Sequence, residues 1–302
     1  MKPIKIWILE RKADFASYTS NRFYEVARNM GIELKLVAPE EIDLIVTKED
    51  KKSITYNGEI IELPICLIPR IGTVTYYSLA IIRHFERLGV FILNSSQSME
   101  TAKDKLSTLQ LLSSNNIPIP KTMLAKFPLN TSFVEKEFSY PLIVKTVVGS
   151  KGRGVFLVEN RNKLNDLVNL LEISKDSKTN LILQEFISAS RGRDIRVIVI
   201  GGRAIGAMLR TASDDNFKAN YSAGGKVISY KINPTIEWLA VESARIVGLD
   251  IAGVDILFDK KSYKVCEVNS YPGFEGFEKA TKLNVPEEIF KYTLVRLGGI
   301  AR

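Results

Sequence analysis

Apolar residues in the first hundred positions alternate between short unbroken runs and stretches spaced at helical intervals. Ile4–Leu9 is a β-like run, Ser20–Met30 closed by Gly31 reads as a helix with a glycine stop, and Glu33–Val37 returns to a strand. The same grammar follows in a strand at Leu63–Pro69, a helix at Tyr77–Leu88 before Gly89, and a strand at Val90–Leu93. Residues 1–96 are therefore expected to form an open α/β layer. A helix over Ser98–Ser114 is then broken by Ile117-Pro118-Ile119-Pro120, since proline cannot continue the hydrogen-bond ladder. A central unit, 97–183, carries strands at Pro141–Val148, Val155–Val158 and Leu181–Gln184, with a helix at Leu164–Leu171. The last unit, 184–302, is strand-rich: Asp194–Ile200, Ala204–Arg210, and a hairpin of Ala252–Phe258 with Ser262–Asn269, joined by a polar loop and a helix at Ile236–Val247.

Composition narrows the chemistry. At 302 residues, 45% hydrophobic and 25% charged, the chain is long enough for two or three packed subdomains and is not disordered in character. Its 42 Lys and Arg against 34 Asp and Glu give a formal charge of +8, which favours anionic partners. Cys66 and Cys266 lie in strand-like runs without CxxC spacing, as buried thiols of a reducing compartment do. The N-terminal apolar run is interrupted by Lys5 and too short for a signal peptide or membrane span, so a cytoplasmic protein is expected. His84 is the only histidine and sits in an ordinary helical setting, which removes multi-histidine metal sites. Lysines, arginines, carboxylates and a hard metal ion are left to carry the chemistry.

Three constellations stand out. The loop GSKGRG at Gly149–Gly154 lies between two strands rather than before a helix and lacks the GK[ST] ending of a P-loop, so it reads as a hairpin lid whose Lys151 and Arg153 cover phosphates, or as a solvated turn. Lys145 interrupts the apolar run before it, where a buried lysine requires an anionic partner and a water-facing one does not; Lys105, opening a helix, is a second candidate cation. In the C-terminal hairpin Asp255, Glu267 and Asn269 converge, with Glu267 and Asn269 on one strand face and Asp255 about one position from facing Glu267. Two carboxylates and an amide suit Mg²⁺. Asp194 and Arg196 share a face, and Arg210 ends the following strand, so they line one cleft or form a charged surface strand.

The ordered set IPRIG, DKL, IVK with GSKGRGV, LQEF, GRDIRV, FKAN, GVDIL and EVNSYPGFEGFEK resembles the ATP-grasp ligases of the RimK family, from about Ile68 to Leu297. That family includes the enzyme that adds glutamate to the C-terminus of the sixth small-subunit ribosomal protein. The resemblance implies an α/β fold of the α+β ATP-grasp kind, in which an open α/β N-terminal domain precedes two α+β subdomains clasping ATP. It implies that Lys105 and Lys145 contact ATP phosphates, Glu185 and Phe186 form the adenine hinge, and Asp194 binds the ribose. Lys218, Ala219 and Asn220 stand where the family usually has Arg-Ser-Asn, and a lysine is a point charge rather than a planar fork. Asp255, Glu267 and Asn269 match the positions for two Mg²⁺ or Mn²⁺ ions, and Arg70, Arg196 and Arg210 are candidates for holding the carboxylate and acyl phosphate. The expected partners are L-glutamate and an acidic peptide or ribosomal-protein tail, with a small-molecule acceptor as the alternative and a homo-oligomer as the family's usual state. A nucleotide-binding regulator without catalysis and a basic nucleic-acid-binding protein are readings of another class, the latter without a recognition motif.

Overall fold

The computed structural model describes residues 4–48, 53–72, 75–147, 154–173, 180–213, 217, 219 and 224–300. The N-terminal layer contains β1 (Ile4–Leu9), α1 (Tyr18–Asn29), β2 (Ile32–Val37), β3 (Ile42–Leu44), β4 (Ile54–Tyr56), β5 (Glu59–Ile60), β6 (Cys66–Pro69), α2 (Tyr76–Arg87) and β7 (Phe91–Ile92). Its main sheet is parallel in the order β2-β1-β6-β7. Successive residues of a strand face opposite ways, so both faces of a parallel sheet can be apolar. Ile6, Ile8, Cys66 and Ile68 accordingly pack on Phe23, Val26 and Ala27 of α1. Trp7, Leu9 and Leu67 pack on Leu79, Ile82 and Phe85 of α2. Strands β3 to β5 form a small antiparallel sheet that the hydrophobic pattern did not predict.

The central unit contains α3 (Ser96–Lys103), α4 (Lys105–Ser114), β8 (Thr122–Leu124), α5 (Thr131–Glu137), β9 (Leu142–Thr146), β10 (Val155–Val158), α6 (Arg161–Ile173) and β11 (Leu181–Glu185). The helix expected over Ser98–Ser114 is two helices. Asp104 leaves the helical conformation, and its carboxylate accepts from the backbone N–H groups of Leu106 and Ser107, capping α4 so that Lys105 becomes its first residue. The antiparallel sheet β10-β9-β11-β8 buries Leu142, Val144, Val158 and Leu183 against Val134, Phe138 and Leu164.

The C-terminal unit contains β12 (Arg193–Ile200), β13 (Arg203–Thr211), β14 (Lys226–Tyr230), α7 (Pro234–Val247), β15 (Ile251–Asp259), β16 (Ser262–Asn269), α8 (Glu275–Thr281) and α9 (Val285–Ile300). Its antiparallel sheet runs β14-β13-β12-β15-β16. One face of β12, Ile195, Val197 and Val199, packs under Ile236, Leu239 and Ala240 of α7. Ile198 and Ile200 on the other face join Phe274, Phe277, Ile289 and Phe290 in the core that also holds Ile6, Ile8 and Phe23. The N-terminal and C-terminal sheets thus share one hydrophobic core. Asn94, 1% exposed, locks the same junction: its Nδ2 donates to Ile251 O at 2.7 Å and Ser270 O at 3.0 Å, and its Oδ1 accepts from Ile251 N at 2.8 Å. Among the described residues no helix is long and apolar enough to cross a membrane.

Candidate active site

Strand pairing alone sets a row of charges across the C-terminal sheet. Asp194 on β12 faces Arg210 on β13, Arg196 on β12 faces Asp255 on β15, and Asp255 faces Glu267 on β16. The last pairing depends on a register shift beside Asp255, where Cys266 is the extra residue on β16. A bulge of this kind re-aims the residues beside it, and here it brings Glu267 directly opposite Asp255 rather than one position away.

Two guanidinium groups lie between two carboxylates. Arg196 donates Nε and Nη2 to the two oxygens of Asp255, both at 2.7 Å. Arg210 does the same to Asp194 at 2.6 and 2.8 Å, and its Nη2 also reaches Asp255 Oδ2 at 2.9 Å. Asp255 and Arg210 are buried. Burial pushes the Asp255 carboxyl up, but Arg196 and then Arg210 outweigh it and hold the group below its ordinary range. Asp194 moves the other way: burial raises it, and Asp255 adds to the rise against the pull of Arg210. Burial also disfavours the Arg210 cation, yet Asp255 and Asp194 together drive its pKa up.

Around this row the other predicted residues fall at different removes. Lys105 Nζ lies 3.4 Å from Glu267 Oε1. Asn269 donates Nδ2 to Gly253 O at 3.2 Å, leaving Oδ1 as its acceptor. Lys145 is buried on β9, on the face opposite Leu142 and Val144, and is therefore not the water-facing residue of an alternating strand. Its charge is felt at Cys266, whose thiol burial pushes up to about 11 against the opposing pull of Lys145. Glu185 ends β11 and accepts from Lys264 Nζ at 2.8 Å and Lys121 N at 3.1 Å. Burial would raise its carboxyl, but these two partners hold it below its usual value. Phe186 follows, half-buried, and Ala219 is buried. Arg70 is buried against the segment after Asn269, giving Nη2 to Pro272 O at 3.3 Å beneath the Tyr271 ring at 4.3 Å. Lys151, Arg153, Lys218 and Asn220 lie outside the described residues.

The donor set fits a hard cation by its chemistry, with two carboxylates and an amide oxygen on paired strands. Asp255 has three of its roughly four lone-pair sites taken by guanidinium N–H groups, so a cation would find one left. Among the described residues no cluster of three His, Cys, Asp or Glu side chains is placed to hold a metal. Sequence reasoning missed the direct pairing of Arg196 with Asp255, and it missed Asn94. The signal for Asn94 was a polar residue closing the apolar run Val90–Leu93.

The RimK PreATP-grasp domain family matches residues 4–99 and the RimK-like ATP-grasp domain family matches residues 102–293. The chain belongs to the RimK-like ATP-grasp family. Membership makes it an ATP-dependent ligase with an α/β ATP-grasp fold that binds ATP. A relative from Maridesulfovibrio salexigens, named probable alpha-L-glutamate ligase, is 37% identical over 291 residues, covering 96% of this chain and 95% of its own. The solved structure of the ATP-grasp ligase PsnB complexed with minimal precursor superimposes with a TM-score of 0.76 at 20% identity, over 97% of this chain and 98% of that one. PsnB complexed with minimal precursor, Mg and ADP gives 0.73 at 19% identity, over 96% and 97%. At such identities the likeness to PsnB concerns the fold.

Proposed function

We propose that this ligase uses ATP to convert a peptide carboxylate into an acyl phosphate and joins it to the amino group of L-glutamate, the acceptor being the C-terminal glutamate of an acidic polypeptide such as a small-subunit ribosomal protein tail. The observation that carries the reading is the row Arg210, Asp194, Arg196, Asp255 and Glu267, a concentration of guanidinium and carboxylate groups with Arg210 and Asp255 buried at its centre. His84, the only histidine, bonds instead to Ser53 in the N-terminal layer, at 2.9 Å. The relatives named alpha-L-glutamate ligase support glutamate, the precursor-bound structures support a peptide acceptor, and the charge of +8 favours an acidic one.

In this reading Lys105, Lys145 and Lys151 contact the phosphates, and Glu185 with Phe186 forms the adenine hinge. Asp194, with Lys218, Ala219 and Asn220, faces the rest of the nucleotide. Its carboxylate must then exchange a bond to Arg210 for the ribose. Asp255, Glu267 and Asn269 would hold Mg²⁺, or Mn²⁺, as two ions. Such ions supply neutralisation of triphosphate charge and a template for its orientation. The chain's own part is electrostatic. Attack by a carboxylate oxygen on the γ-phosphorus accumulates negative charge, which Arg196 and Arg210, both held by Asp255, stabilise. The amine then attacks the acyl carbon and phosphate leaves, while the segment Gly149–Gly154 excludes water.

ADP release with Mg²⁺ across a panel of amino acids, with and without acidic peptides ending in glutamate, tests the reading, with products followed by mass spectrometry. Glutamate-dependent release with stepwise mass gain on the peptide is expected. Turnover only with a small-molecule acceptor overturns the peptide assignment and keeps the ligase.

A further inference from the structure

Two buried charges sit at the head of the N-terminal sheet. The strand order β2-β1-β6-β7 reverses direction between β1 and β6, and open parallel sheets take ligands in the crevice beyond the carboxyl ends of strands at such a switch point. The residue after β1 is Glu10 and the residue after β6 is Arg70, and Arg70 N donates to Leu9 O at 2.7 Å, holding the two strand ends together. They are 1% and 3% exposed. Glu10 Oε1 accepts from Ser20 Oγ at 2.6 Å, while Oε2 has no hydrogen-bond partner. The rings of Tyr271, Phe274 and Phe23 lie 4.3, 5.0 and 5.1 Å from the Arg70 guanidinium, Nη2 is used by Pro272 O, and Nε has no partner. A buried charged group with an unpaired atom is costly and calls for an explanation. Here one open acceptor and one open donor stand at adjacent strand ends, close enough that each biases the ionisation of the other.

We propose that Glu10 and Arg70 form the subsite for the amino-acid substrate, Glu10 Oε2 accepting from its ammonium group and Arg70 Nε donating to its carboxylate. This rests on the reading that a free amino acid is one of the substrates. A zwitterion satisfies both open atoms at once, whereas a lone anion leaves Glu10 unpaired and a lone cation leaves Arg70 unpaired. Arg70 bonds to Pro272, three positions beyond Asn269, so the subsite adjoins the charged row of the C-terminal sheet. Because both groups are buried, the segment 271–274 that covers Arg70 has to yield as the amino acid enters.

The test is steady-state ADP release by the full chain and by Glu10→Gln, which keeps the volume and an oxygen for Ser20. The KM for the amino acid is expected to rise by roughly ten- to a hundredfold, with the KM for ATP unchanged and the variant folded at the assay temperature. A dicarboxylate of the same length lacking the α-amino group should inhibit both proteins equally. An unchanged KM in Glu10→Gln, or equal weakening of the amino acid and its deamino analogue, overturns the subsite. If Glu10→Gln does not fold, Glu10→Asp reads the same ratio of amino acid to analogue. Absence of turnover by the unmodified chain with any amino acid overturns the proposed function and the subsite with it. Turnover that is indifferent to Glu10 overturns the subsite alone.

Discussion

Asp255 meets two guanidinium groups while its side chain is 8% exposed, whereas the Glu267 side chain is 33% exposed and meets one lysine at 3.4 Å. The two carboxylates are cross-strand partners in one candidate metal set, yet their removal should cost the fold very different amounts. Asp255→Asn leaves the half-buried Arg196 and the buried Arg210 facing a neutral amide, and breaking a buried ion pair from one side costs about 3–5 kcal/mol. Urea unfolding should register that loss. Glu267→Gln should shift the same curve by less than about 0.5 kcal/mol and still abolish metal-dependent ADP release. Normal turnover in Glu267→Gln would remove this residue from the metal set, and equal destabilisation by both variants would contradict the geometry of the row. Lys145 was legible at this scale because a charge inside an apolar run has few explanations. Glu10 was not, since a glutamate that ends a strand reads as ordinary surface until both of its neighbouring strands are paired.

At the scale of elements, the hairpin of β15 and β16 was readable from its two apolar runs, but the bulge at Cys266 was not: nothing in the composition of VCEVN marks an extra residue. The break at Asp104 carried a capping signal that the helical spacing on either side concealed. Strands β3 to β5 and β14 are short and half-exposed, and so lack the apolar run by which a strand is recognised. The apolar faces of α8 and α9 are complemented by residues distant in the chain, Ile198, Ile200 and Met208 of the C-terminal sheet together with Phe23 of the N-terminal layer, so the local sequence around each helix does not show what buries it. One glycine in β15 has an element-level role. A Cβ on Gly253 would lie 2.7 Å from Cβ of Pro272, whose carbonyl binds Arg70. Gly253→Ala must therefore displace the segment after Asn269, at about 1–3 kcal/mol for overpacking. The expected outcome is a lowered melting temperature together with a raised KM for the amino acid. A change in neither would show that Pro272 moves freely.

The whole molecule is held by contacts between its first and last parts, and these were invisible in a reading that took each unit separately. Asn94 is the clearest case: Asn94→Ala leaves Ile251 N and the carbonyls of Ile251 and Ser270 without their buried partner. Each such loss costs about 1–3 kcal/mol, so unfolding should become distinctly easier, and an unaltered urea midpoint would disprove the clamp. A second tie responds to pH. Tyr18 of α1 donates its hydroxyl to Glu278 Oε2 of α8 at 2.7 Å, and Arg22 Nε donates to the same oxygen at 3.0 Å. Burial, and then the bond to Glu278, push the Tyr18 phenol from 10.0 up to about 12. The folded chain therefore binds this proton more tightly than the unfolded one. Its contribution to stability is complete below pH 10 and is lost as the pH climbs from about 10 to about 12. Tyr18→Phe removes the bond at every pH and with it this alkaline component, so the stability difference between variant and parent should shrink across that window. Tyr56, bonded to Glu41 inside the N-terminal layer and also pushed up to about 12, keeps its own alkaline limb in both proteins. Parallel stability curves for Tyr18→Phe and the parent above pH 10 would mean that the α1 to α8 tie does not titrate through Tyr18.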